Sequence, residues 1–177
     1  MGYSVLQTEP TPCVVAMDVL YLKKIADYNE RIRTIFDSIN DIIERYRPDH
    51  LSIEAPFYGK NVQSMLKLGR AQGVTIAAAM AHGMTFTEYE PATIKQYITG
   101  NGSATKEQVR AMLEAHLGVE LQTHYLDATD AVAAALCHHL ATTNPMADLR
   151  AALHPRRRRN KRQSWNDFVN DNPDIVE

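Results

Sequence analysis

The alternation of apolar and polar positions divides the first third of the chain into two strands, a helix and a third strand. Residues Gly2 to Leu6 and Cys13 to Leu22 are typical of short strands, with a proline-containing turn between them. Residues 23 to 47 carry apolar side chains at three- and four-residue spacing, which predicts an amphipathic helix that Pro48 ends. His50 to Glu54 is a short strand, stopped directly after its acid by Ala55-Pro56.

Helices dominate the rest of the pattern. A long helix runs through Val62 to Ile76, Met84 to Tyr89 alternates as a strand, and Ile94 to Ile98 is a short helical turn or an extended link. Thr105 and Gln108 form a capping box for a helix that Gly118 ends, and Leu126 to Leu140 is a final alanine-rich helix. This order predicts an α/β fold, a mixed sheet flanked by helices, in one domain over residues 1–144. Residues 145–177 are polar and basic, and we expect a disordered tail there.

Charge is distributed unevenly along the chain. The net charge is −2 over 177 residues, but a run of six basic residues lies between Arg156 and Arg162. The rest of the chain holds 13 basic and 21 acidic residues, so composition alone would predict no DNA binding. The tail should add a salt-dependent, nonspecific affinity for DNA. No apolar run is long enough for a membrane helix, so we expect a cytoplasmic protein that makes no membrane contact, with buried, reduced thiols at Cys13 and Cys137.

Three carboxylates are the candidates for chemistry. Glu54 ends an otherwise apolar strand, where a charge is costly unless it is exposed, paired or metal-bound. Asp127 and Asp130 project from nearly the same side of the first turn of the last helix, where simple helix capping is the alternative role. If the three converge, they form the all-oxygen site that Mg²⁺ or Mn²⁺ prefers, and paired ions can assist phosphodiester hydrolysis.

Cations, aromatic groups and histidines surround these acids in the sequence. Gly100 to Lys106 places glycines before a helix N-terminus that bears a lysine, so we expect an anion site for a DNA phosphate there, although the segment departs from the nucleotide-binding P-loop. Phe57-Tyr58-Gly59-Lys60 directly follows the Glu54 strand and could stack on bases and neutralise a phosphate, or could be core. His138 and His139 point in different directions from one helix, so we expect core-edge or surface positions for them.

Four ordered motifs resemble the RuvC family of Holliday junction resolvases, and the resemblance covers residues 1 to about 140. The motifs are Ile53 to Asn61, Ser64 to Val74 with Arg70, Lys95 with the Gly100–Lys106 segment, and Leu126 to Ala131. Membership implies an RNase H-like fold, a homodimer, Mg²⁺-dependent paired nicking of four-way junctions, and a branch-migration helicase as partner. It also implies that Glu54, Asp127 and Asp130 bind about two metal ions per subunit, that Lys95 and Lys106 are catalytic, and that Phe57 contacts junction bases. We expect Tyr58, Lys60 and Arg70 to contact DNA as well.

The family's first acid has no counterpart in this sequence. It should stand in an Ile-Asp-Pro-Gly motif on an opening strand, whereas Met1 to Leu6 looks like the second strand and Asp18 falls in no comparable motif. We therefore expect Met1 to be an internal methionine, and the functional protein to begin about ten to twenty residues earlier, since the family's missing strand is central to its sheet. The alternatives are a noncatalytic junction-binding protein that lacks this acid, and a structural helical interaction module.

Overall fold

Four strands and five helices form the part of the chain that the computed structural model describes, residues 1–56, 61–121 and 126–143. In chain order they are β1 (Gly2–Gln7), β2 (Cys13–Val19), α1 (Tyr28–Tyr46), β3 (His50–Glu54), α2 (Val62–Ala81), β4 (Thr85–Tyr89), α3 (Pro91–Thr99), α4 (Lys106–Leu117) and α5 (Leu126–Thr143). The predicted tail lies outside the described residues.

The strands form two ladders of opposite kind. β1 pairs with β2 in antiparallel fashion, and β3 pairs with β4 in parallel. The mixed pattern predicted from the sequence is therefore present, but within the described residues it is divided between two two-stranded sheets. Helix α5 packs against β1, β2 and β3, so it bridges the two sheets on one face.

Two apolar clusters hold these elements together. One joins α3, α4 and α5, and the other joins α1, α2 and the start of β4. The central residues of the first cluster are Ile98, Leu113, Val132, Leu136 and Cys137, and those of the second are Ile35, Ile39, Ile43, Ala78 and Ala79. Burial of a large aliphatic side chain stabilises a fold by about 1.5–3 kcal/mol, so the first cluster fixes α5, the helix that carries Asp127 and Asp130.

Several predictions from the sequence need correction. The predicted strand to Leu22 and the predicted helix from residue 23 both extend too far into the segment between them. β2 ends at Val19, a 3-10 turn covers Leu22–Lys24, and α1 starts only at Tyr28, where Asp27 caps it. The short link at 94–98 is a full helix, α3, because Pro91 at its first turn favours a helical start. Cys13 is exposed, whereas Cys137 is buried as expected. None of the described helices combines the length and apolar character that crossing a bilayer requires.

Candidate active site

Glu54 lies at the end of β3 on the face that α5 covers. Side chains two residues apart point to the same face of a strand, and Ser52 donates a 2.6 Å hydrogen bond to the carbonyl of Ala134 on α5. The strand end is fixed by two further hydrogen bonds. Gln72 Nε2 donates to the Glu54 carbonyl at 2.6 Å, and the Ala55 amide donates to the Tyr89 carbonyl at 2.8 Å. The Glu54 carboxylate is thus presented toward the first turn of α5.

Asp127 and Asp130 occupy that first turn and are both exposed. Their side chains are 65% and 55% accessible, so the carboxylates are open to ions and ligands. Helix α5 approaches β1 so closely that a Cβ built on Gly2 would overlap the carbonyl of Asp127. Only glycine leaves room for this contact, which places the N-terminus of α5 against the start of β1.

The charges around Glu54 form one electrostatic group. Burial raises the pKa of Glu54 above its ordinary value, and the Asp130 carboxylate raises it further. The ammonium groups of Lys106 and Lys95 oppose that rise, in that order of strength. Lys106 Nζ also lies 3.8 Å from Asp130 Oδ2. The structure therefore brings together Glu54, Asp130, Lys106 and Lys95, four of the five residues for which we predicted catalytic roles.

Asp127 pairs with a different cation. The amino group of Met1 lies 3.7 Å from Asp127 Oδ2 and also donates a hydrogen bond to the carbonyl of Leu20. Of these two contacts, the one between Lys106 and Asp130 joins two side chains, and it shows that the Asp130 carboxylate attracts a cation.

The donor chemistry of the three acids suits a hard cation. Oxygen is the ligand that Mg²⁺ prefers, and Mg²⁺ usually keeps several waters and uses only one or two carboxylates of the protein. Within the described residues, no three potential ligands lie close enough to enclose an ion by themselves. The acids therefore fit an open site, in which water and a ligand complete the shell around one or two carboxylates.

The predicted phosphate loop is held by its own side chains and by α3. Gly100 adopts the left-handed conformation that ends α3, and Gln96 accepts from the Gly102 amide at 3.0 Å. Thr105 and Gln108 form the predicted capping box at the start of α4. This places Lys106 in the first turn of α4, from which its side chain reaches Asp130.

The predicted DNA-contacting residues are only partly described. The Arg70 guanidinium lies over the Tyr28 ring, 5.6 Å from its centroid, so it braces α2 against α1. Phe57, Tyr58 and Lys60 lie outside the described residues. Their predicted roles, like that of Arg70, stay predictions.

A stacked histidine pair between β3 and α5 was not predicted from the sequence. The rings of His50 and His138 stack in parallel with centroids 3.8 Å apart, and His138 Nδ1 hydrogen-bonds the Tyr89 hydroxyl at 2.9 Å. Burial lowers the pKa of both histidines, and their mutual repulsion lowers that of His138 further. No local signal could have revealed this pair, because its members come from β3 and α5, 88 residues apart in the chain.

An RNase H-like arrangement of strands and helices, with acidic side chains where β3 meets α5, defines a class of metal-dependent nucleases. The family model described as "Crossover junction endodeoxyribonuclease RuvC" matches residues 1–138. The chain therefore belongs to the RuvC family.

Curated relatives and solved structures agree with this family. A RuvC of Porphyromonas gingivalis is 49% identical, over 99% of this chain and 90% of its own. A RuvC of Bacteroides fragilis is 45% identical, over 99% and 89%. The Thermus thermophilus RuvC structure superposes with a TM-score of 0.72 at 26% identity, covering 80% of this chain and 88% of that one. The same protein in complex with Holliday junction substrate gives 0.69 at 24% identity, over 80% and 87%, and supports the RNase H-like fold.

Proposed function

We propose that this protein is a structure-selective endonuclease that resolves four-way DNA junctions during recombination and repair. The observation that carries the proposal is the group of Glu54, Asp130 and Lys106 at the N-terminus of α5, where acids for a metal ion adjoin a cation for a phosphate. The relatives are named crossover junction endodeoxyribonucleases, which agrees with hydrolysis of a phosphodiester at a junction.

Each residue has a distinct role in this proposal. Glu54 and Asp127 hold Mg²⁺, or Mn²⁺ in its place, with two ions per subunit, and Asp130 completes the set of protein oxygens. When bound, the ions supply Lewis-acid stabilisation of the charge on the scissile phosphate. Lys106 and Lys95 bind and orient the phosphate, and their positive charge stabilises the negative charge that develops on it during attack.

The predicted DNA contacts extend from this centre. Phe57 and Tyr58 stack on bases near the crossover, and Lys60 and Arg70 neutralise phosphates. We infer that the protein acts in the cytoplasm, on junctions supplied by a branch-migration helicase.

We propose a homodimer formed through α2, because a junction has two strands to nick. A Cβ built on Gly69 or Gly73 would meet no atom within 4 Å, and Val62 and Leu66 are exposed on the same helix. This face can therefore accept a partner helix at close range. Gly69→Leu should convert the dimer to a monomer in sedimentation equilibrium at micromolar concentration, whereas Gly83, in the turn after α2, provides a control position for Gly83→Asn.

The test of function compares two substrates of equal length and sequence. The complete functional protein is incubated with Mg²⁺ and either a synthetic four-way junction or the corresponding linear duplexes. We expect paired nicks near the crossover of the junction and none in the duplexes. Tight junction binding without nicks at any Mg²⁺ or Mn²⁺ concentration would favour the noncatalytic junction-binding protein instead.

A further inference from the structure

Two contacts fix one register between β3 and α5. The rings of His50 on β3 and His138 on α5 stack with centroids 3.8 Å apart, and their planes differ by only 3°. Two residues further along β3, Ser52 Oγ donates a 2.6 Å hydrogen bond to the carbonyl of Ala134, four residues before His138. Two strand residues span about 6.6 Å and four helical residues about 6 Å, so strand and helix run in opposite directions with matching steps.

The next step of this register joins two of the candidate acids. Glu54 lies two residues beyond Ser52 on β3, and Asp130 lies four residues before Ala134 on α5. The Asp130 carboxylate raises the pKa of Glu54, which shows that the two charges are close. The acids therefore form the third contact of the register, about 12–13 Å from the stacked histidines along either element.

The histidine contact is anchored to the sheet by hydrogen bonds. His50 Nδ1 lies 2.7 Å from Thr85 Oγ1, and His50 Nε2 lies 3.0 Å from Thr87 Oγ1, both on β4. The Tyr89 hydroxyl of the same strand hydrogen-bonds His138 Nδ1 at 2.9 Å. Hydrogen bonds and ring stacking tolerate only a narrow range of geometry, so they tie α5 to β3 and β4 at one position along the helix axis.

Apolar packing alone would hold this position weakly. The α5 residue between the two ends of the register is Ala134, and its neighbours Ala133 and Ala135 are equally small. Methyl groups interdigitate little with a facing surface, so they fix the distance between helix and sheet better than the position along the axis. A slip of one residue would move Asp130 by about 1.5 Å and turn it by about 100°, away from Glu54.

We propose that His50 and His138 are positioning residues for the metal site, because their contact sets the register of α5 on β3 and this register holds the Asp130 carboxylate beside Glu54. The inference rests on the proposed function, since it treats these acids as metal ligands. The histidines act through the acids and contact neither the ion nor the DNA. Loss of their contact should weaken metal binding and leave the surface that binds the junction in place.

The experiment measures metal binding without DNA, and DNA binding without metal. The complete functional protein is titrated with Mn²⁺, and the electron paramagnetic resonance signal of the free ion gives the dissociation constant. Gel shifts of a synthetic four-way junction in EDTA give the DNA affinity. His138→Leu removes the ring stack and the hydrogen bond with Tyr89, whereas Tyr89→Phe removes only the hydroxyl. The control is His116→Leu, at an exposed position in the last turn of α4.

We expect His138→Leu to raise the Mn²⁺ dissociation constant about tenfold, and Tyr89→Phe to raise it about two- to fivefold, with junction affinity within about twofold of the wild type. The control should match the wild type in both measurements. If His138→Leu does not melt cooperatively, Tyr89→Phe decides. An unchanged Mn²⁺ dissociation constant in the folded variants, an equal loss of Mn²⁺ and junction affinity, or no Mn²⁺ binding by the wild type would overturn the proposal.

Nicking of the same junction with Mg²⁺ separates this proposal from the proposed function. A wild type that binds Mn²⁺ and makes no nicks would contradict the function, and the Mn²⁺ affinities of the variants would still decide the positioning role. A wild type that nicks, together with variants of unchanged Mn²⁺ affinity, would overturn the positioning role and leave the function intact.

Discussion

The backbone of Gly2 lies directly against the backbone of Asp127, with no room for a side chain between them. This contact joins the first residue of β1 to the first turn of α5, where two of the three candidate acids are located. The position of Asp127 and Asp130 relative to the sheet therefore depends on the absence of a side chain at Gly2.

Gly2→Ala should displace the start of α5 or unpair the start of β1, because the added methyl group would overlap the Asp127 carbonyl. We expect a loss of about 1–3 kcal/mol in the free energy of unfolding, measured by urea denaturation. Ser4→Ala, two residues along the same strand, is the control, since it removes a buried hydroxyl that has no hydrogen-bond partner among the described residues and should be neutral or slightly stabilising. Equal stability of Gly2→Ala and the wild type would show that the contact is not a constraint.

The sequence predicted the elements well where the pattern was local. Three predicted features depend on residues within a few positions of each other, and all three are present. They are the capping box at Thr105, the apolar face of helix α1 and the strand that ends at Glu54. Periodicity could not predict that Lys106 would meet Asp130, or that His50 would stack on His138, because these contacts depend on how β3, α4 and α5 pack. The family resemblance supplied the first of these associations, and nothing in the chain signalled the second.

Glu54→Gln should stabilise the metal-free protein at neutral pH. The pKa of Glu54 is raised in the folded state by burial and by Asp130, so ionisation of this group favours the unfolded chain as pH rises through the folded-state pKa. The group is partly solvated, and the expected rise in melting temperature is only about 1–2 °C.

The measurement is a series of thermal melts in EDTA. The advantage of Glu54→Gln should be largest at pH 7 to 8 and disappear at pH values below the ordinary glutamate pKa of 4.5. A variant that melts at a lower temperature than the wild type at pH 7 would contradict the sign of this effect.

Lys106→Met should slow junction nicking by about ten- to a hundredfold at saturating Mg²⁺, because it removes the cation next to Asp130 and Glu54. Lys95→Met should have a smaller effect, since Lys95 acts on Glu54 less strongly. Lys23→Met, in the 3-10 turn before α1, is the control and should retain the full rate. Single-turnover rates on one junction give all three values, and an unchanged rate in Lys106→Met would exclude its role.

The two cysteines should differ sharply in reactivity. Cys13 is exposed, whereas burial raises the pKa of the Cys137 thiol to about 12. A maleimide should therefore modify Cys13 within minutes and leave Cys137 unmodified until denaturant is added. Mass spectrometry of the labelled peptides reads both positions, and rapid modification of native Cys137 would show that α5 is not packed as described.

The most direct test of the central claim separates binding from cleavage in the acid variants. Glu54→Gln and Asp127→Asn keep the size of each side chain but remove the charge that a metal ion requires. Compared with the wild type on the same synthetic four-way junction with Mg²⁺, both variants should bind with similar affinity in gel-shift assays and produce no paired nicks. Cleavage by either variant at the wild-type rate would contradict the account, because the acids would then have no part in the chemistry.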